Sequence, residues 1–117
     1  MSGFANWIAK PWMIGVLLGL VALLYLPSLN NDFAVDDYPA IIDNELVKGG
    51  LGNTPEIFQH SFYYGYDQRE LANEYRPLAS LLFALEYSVF GKNAAGYHGV
   101  SILLYLLLLW LIYCFVK

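Results

Sequence analysis

Asp36 and Asp37 are adjacent carboxylates a few residues beyond a long uncharged stretch. Like charges side by side near a low-dielectric region push one carboxyl toward the proton affinity of a general base. A plainer role also fits, because Asp37 precedes Tyr38-Pro39, where an aspartate can cap the next helix. His98 is the second titratable group of chemical interest, at the start of another apolar stretch. A lone histidine there reads as an interfacial anchor or hydrogen-bonding group, with a substrate-binding role as the alternative. His60 and His98 are far apart in sequence and form no metal constellation, so neither a metal nor a cofactor is expected. Cys114 is the only cysteine and lies within an apolar stretch, which excludes an intrachain disulfide.

These residues are positioned by a simple division of the 117-residue chain. Pro11 to Asn31 and Asn93 to Val116 carry no charge, and all ten carboxylates lie between them. A membrane-crossing helix needs ~20 mostly apolar residues, and both stretches are that long. The chain is 58% hydrophobic, above the ~45–50% of an ordinary soluble domain. The expected fold is an all-α membrane protein. Residues 1–10 form a tail, 11–29 the first transmembrane helix, 30–92 an external acidic loop with short and interfacial helices, and 93–117 the second transmembrane helix. The loop is too small for an independent soluble enzyme domain.

The tails hold Lys10 and Lys117 and no acid, which places both termini in the cytoplasm and the loop in a periplasm or lumen. An acidic loop without a basic run argues against nucleic acid. The first apolar run lacks a small-x-small cleavage site, so an uncleaved anchor is expected rather than a signal peptide. Phe4, Trp7, Ile8 and Lys10 share one side of a helical tail suited to the headgroup region.

Pro11 suits the first position of the first crossing helix, and Pro27-Ser28-Leu29-Asn30-Asn31 ends it. Gly15 and Gly19 form a Gly-x-x-x-Gly pair that lets a partner helix approach closely. Within the loop, Tyr38-Pro39 opens a helix over Ala40 to Val47, stopped by Gly49-Gly50. Thr54-Pro55-Glu56 opens a second, with Thr54 as the capping hydroxyl, Ile57, Phe58 and Phe62 as its apolar side and Gly65 as its end. Pro77 opens a third, Leu78 to Phe90, terminated by Gly91. Leu78, Leu81, Leu82, Leu85 and Val89 give it one apolar face. At ~20 Å it is too short to cross, so it lies at the interface or leans on the crossing helices.

Phe33, Asp36, Asp37, Ile41, Asn44 and Val47 resemble the first external loop of multi-spanning glycosyltransferases with the C-type fold. The likeness is nearest to the transmembrane, tetratricopeptide-repeat O-mannosyltransferases and their bacterial relatives. It continues through Tyr75-Arg76-Pro77-Leu78, Leu82, Leu85, Tyr87, Phe90-Gly91, Gly96-Tyr97-His98 and Ile102-Leu103-Leu104. The resemblance implies sugar transfer from a polyprenyl-phosphate carrier, with a first-loop acid as base. Asp36 or Asp37 matches that acid. Arg76 becomes a candidate for phosphate contact, since a guanidinium suits phosphate oxygens, and His98 a weaker one.

Enzymes of that family have many crossing helices, and two cannot enclose their site. The favoured expectation is a small membrane subunit, not catalytic alone, docking on other membrane protein subunits with its aromatic loop (Phe58, Phe62, Tyr63, Tyr64, Tyr66) as contact surface. The alternative is the N-terminal module of a transferase using a polyprenyl-phosphate sugar. An independent hairpin oligomer is the third reading. In each the lipid bilayer is a partner.

Overall fold

The computed structural model describes residues 10–67 and 74–117. The amphipathic tail expected at Phe4, Trp7 and Ile8 lies outside them. The fold divides into two units, one built from the segments up to Asn31 and from Ala95, the other spanning Asp32–Ala94. The described residues are helical or irregular, with no strand among them, in keeping with an all-α membrane protein.

The first unit is a helical hairpin. Helix α1, Pro11–Tyr25, begins with proline at its first turn, where a missing N–H leaves nothing unsatisfied. It tightens into a 3-10 turn, Leu26–Asn30, because Pro27 has no N–H to give the preceding turn. Ser28 Oγ donates to the Tyr25 carbonyl at 2.6 Å and helps close that turn. Helix and turn together span Pro11–Asn30 (20 residues), and the last helix, Ala94–Val116, has 23. Both are long and apolar enough to cross a membrane.

The two helices run antiparallel. At one end Tyr25 meets Tyr105 edge-on, with ring centroids 5.5 Å apart. At the other, the Tyr113 hydroxyl donates to the Lys10 carbonyl at 3.4 Å. Helix α1 buries none of its residues, and Leu24 and Phe115 are largely exposed. A helix that is apolar all round suits hydrocarbon, where no polar face is needed.

The second unit is a small lobe around Ala40, Ile41, Ile42, Val47, Ile57, Phe62 and Ala84. It contains a π-helical turn Tyr38–Ile42, helix α2 Glu45–Lys48, a 3-10 turn Gly50–Asn53, helix α3 Thr54–Gln59 and helix α4 Pro77–Phe90. The final helix, Ala94–Val116, is α5.

Two expectations are corrected here. The single helix over Ala40 to Val47 is broken at Asp43-Asn44. Asn44 is 1% exposed and serves as N-cap of α2. Its Oδ1 accepts from Leu46 N at 3.1 Å and Val47 N at 3.2 Å, and its Nδ2 donates to Phe62 O at 3.2 Å. A buried carboxamide satisfied on both sides outweighs continuation of the helix.

Helix α3, in turn, stops at Gln59, well before Gly65. Thr54 Oγ1 donates back to Leu51 O at 2.6 Å instead of capping α3. Phe62 is buried in the core, but from the segment after the helix. Gly65 is where that segment returns to α2: its carbonyl accepts from Glu45 N at 2.9 Å.

Helix α4 has the expected bounds, and Gly91 ends it with φ +58°, a conformation that favours glycine. Its buried positions are Ser80, Ala84 and Glu86, while Leu78, Leu85 and Val89 are exposed. Small residues let α4 approach its neighbours closely. At Gly50, with φ +68°, an added Cβ would stand 2.7 Å from Ser88 Oγ.

Candidate functional site

The acid pair sits on a turn that treats its two members differently. Asp37 N donates to the Ala34 carbonyl at 3.0 Å, and Asp37 Oδ2 accepts from Ala34 N at 2.8 Å. This reciprocal closure ties Asp37 to the residues before it. Asp37 stands at the N-cap position of the π-helical turn but makes no side-chain cap there, so the expected cap is replaced by the backward contact. Asp32 is also held locally, its Oδ1 accepting from Phe33 N at 2.8 Å. Asp36 is exposed, with no hydrogen-bond or ion-pair partner among the described residues. The turn thus holds one carboxylate and presents the other to solvent.

Arg76 lies just before α4. Its guanidinium stands 3.2 Å from Glu74 Oε2 and 5.6 Å from the centroid of the Phe62 ring. Glu74 belongs to the segment entering α4 and Phe62 to the segment after α3, so Arg76 is engaged with them rather than with the acid pair. Its side chain is still 61% exposed, which leaves donors for an anionic ligand. An exposed pair of this kind contributes little stability by itself.

His98 belongs to the hairpin. It lines a cavity of about 360 Å³ with Tyr25, Ser28, Ser101, Ile102 and Tyr105. That volume is in the range of small-molecule sites. The His98 Nε2 atom is buried without a hydrogen-bond partner among the described residues. A polar nitrogen left unsatisfied in such a place is costly without a ligand or water.

Gly15 and Gly19 have no atom within 4 Å of a built Cβ. Among the described residues nothing occupies the space beside either position, so the close approach they permit is not used between the described parts of the hairpin.

Two features were missed from the sequence. Glu86 is 4% exposed, and its Oε2 has no hydrogen-bond partner among the described residues. Burial alone pushes its carboxyl up to about 7. A single acid in an otherwise apolar helix was the available signal. The cavity around His98 was the other, hinted at by Ser28, Ser101 and the tyrosines in apolar helices. Among the described residues no group of three His, Cys, Asp or Glu side chains is placed to hold a metal.

Comparison with known proteins gives one family. The chain is 35% identical over 101 residues to human protein O-mannosyl-transferase TMTC1, covering 86% of this chain and 12% of that protein. It is 30% identical over 103 residues to mouse protein O-mannosyl-transferase TMTC4 (84% and 14%) and 30% identical over 89 residues to protein O-mannosyl-transferase F38B6.6 of Caenorhabditis elegans (75% and 13%). The chain therefore spans about one eighth of the length of the curated relatives it matches. No family model and no solved structure matches it.

Proposed function

We propose that this chain, a homologue of one segment of the protein O-mannosyl-transferases, is the acid-bearing membrane module of a sugar-transferring assembly. It is a glycosyltransferase-like module by homology. The finer reading is that it docks on further membrane protein subunits or segments and does not act alone. Asp36 is the base that takes the acceptor hydroxyl's proton, and the donor is a polyprenyl-phosphate sugar.

The observation that carries this reading is the division of labour in the turn. Asp37 closes on Ala34, while the Asp36 carboxylate is exposed and uncommitted. A general base must reach its proton at hydrogen-bond distance, and Asp36 is available for that. Arg76, with donors still open, suits the carrier phosphate. His98 and the hydroxyls beside it form a separate polar cavity within the hairpin, suited to a polar headgroup. The acidic lobe faces the periplasm or lumen and both termini the cytoplasm, a reading supported by basic residues at the tails.

The docking part is supported by the open Gly15 and Gly19 face, which accepts a helix no described residue supplies. Purification from native membranes in mild detergent tests the whole proposal. Co-purifying transmembrane segments, together with transfer of labelled mannose from polyprenyl-phosphate mannose, would support it. Transfer that survives Asp36→Asn unchanged would remove Asp36 from the mechanism. A complex without any transfer would leave only the docking role.

A further inference from the structure

We infer that the cavity between the two long helices of the hairpin holds the phosphate of a membrane lipid. The inference rests on the membrane reading of α1 and α5 and is independent of the transferase reading. His98, Ser101, Ile102 and Tyr105 follow the i, i+3, i+4, i+7 spacing of one face of α5. Tyr25 and Ser28 meet that face from the first helix and its closing turn. The Tyr25 and Tyr105 ring centroids are 5.5 Å apart, and Leu29 Cδ2 lies 3.8 Å from a Cβ built on Gly99.

Five of the six residues around this cavity of about 360 Å³ carry a polar group. Only Ser28 spends its hydrogen inside the hairpin, on the Tyr25 carbonyl. The His98 imidazole and the hydroxyls of Tyr25, Ser101 and Tyr105 have no hydrogen-bond partner among the described residues. Four uncommitted polar groups between two otherwise apolar membrane helices are costly when nothing meets them. Such groups in a membrane span point to a ligand. The wall suits an anion, since it offers hydroxyls and an imidazole N–H and contains no carboxylate. Phosphate oxygens accept several such bonds at once and strengthen each by their charge. Ile102 and the tyrosine rings suit the carbons beside the phosphate. Ser28 lies in the last turn of the first span and His98 in the second turn of α5. That level, at the edge of the ~30 Å hydrocarbon layer, is where lipid phosphates reside.

Native mass spectrometry of the full chain in detergent tests this by titration with two lipid pairs. One is phosphatidylglycerol and the diacylglycerol with the same chains. The other is a polyprenyl phosphate and its free polyprenol. The phosphate-bearing member of at least one pair should bind ~10-fold or more tightly than its partner. The pair with the larger ratio identifies the source of the phosphate. Ser101→Ala combined with Tyr105→Phe removes two hydroxyls unengaged in the hairpin and keeps both tyrosine-site rings, so the fold should persist. It should lower affinity for the phosphate-bearing lipid at least ~10-fold and leave the phosphate-free lipid unchanged. Equal binding within both pairs would overturn the inference by reducing the cavity to an apolar groove. A preference undiminished in the double variant would overturn it by placing the phosphate elsewhere. Inorganic phosphate binding as tightly as the lipids would also overturn it, by removing the need for a lipid.

Discussion

Gly65 comes so close to Asn44 that a methyl group on its α-carbon would overlap the Asn44 carboxamide. The contact fixes the return of the segment after α3 against the start of α2. Gly65→Ala should displace Asn44 from Leu46 and Val47 and destabilise the lobe by roughly 2–4 kcal/mol. Asn44→Ala should have a similar effect by leaving the same amides without their acceptor. Hydrogen exchange at Leu46 and Val47 in detergent reads the loss directly. Exchange unchanged in either variant would show that the carboxamide does not hold the lobe.

The two aspartates should separate by readout. Asp36→Asn is expected to lower transfer by the assembled enzyme at least ~100-fold while leaving lobe stability unchanged. Asp37→Asn should weaken the Ala34 turn by ~0.5–2 kcal/mol, with a smaller effect on transfer. Equal loss of activity from both would assign the pair a joint role.

Glu86 should make the stability of the lobe depend on pH. Its carboxyl is raised to about 7 from an ordinary 4.5 by burial. The folded state therefore holds the proton more tightly than the unfolded chain. Stability is fullest below the unfolded value and declines as pH rises through about 7. At ~1.4 kcal/mol per pH unit the decline is bounded near 3 kcal/mol, and residual solvent contact lowers it. Unfolding followed between about pH 5 and 8 should show this slope, and Glu86→Gln should flatten it. A slope that persists in Glu86→Gln belongs to another group.

Gly50→Ala should be costly for two separable reasons. The left-handed backbone contributes about 1 kcal/mol, and the Ser88 hydroxyl, 2.7 Å from the new Cβ, adds a steric contribution. Ser88→Ala should relieve only the second part. A double-mutant cycle by chemical denaturation measures the coupling, and zero coupling would show that Ser88 moves aside freely.

Leucine at Gly15 and Gly19 together should leave the hairpin intact, because among the described residues no atom lies within 4 Å of a Cβ at either position. Association with partner helices should weaken by about 1 kcal/mol or more. Native mass spectrometry of the detergent complex compares the two, and equal association would retire that face as a docking site.

Much of this architecture was legible from charge and hydropathy. The uncharged blocks marked both long helices, and Pro11, Pro77 and Gly91 marked boundaries that the structure keeps. The break at Asn44 was not legible, because its cause is a carbonyl eighteen residues away at Phe62. Local pattern favoured an unbroken helix, and only the returning segment made the carboxamide more useful as a buried bridge. Gly65 misled for the same reason. As a helix stop it satisfied every local rule, yet its purpose is room for another side chain. At the acid pair, spacing identified both residues but could not tell them apart. The difference lies in which carboxylate folds back on Ala34.

The orientation of α4 inverts the usual map of mutational tolerance. Enlarging Ala84, which has no exposed surface, should disrupt the lobe more than placing a lysine at Leu85. A survey that equates oily positions with the interior would protect the wrong side of this helix, and would overlook an alanine as the residue least free to change.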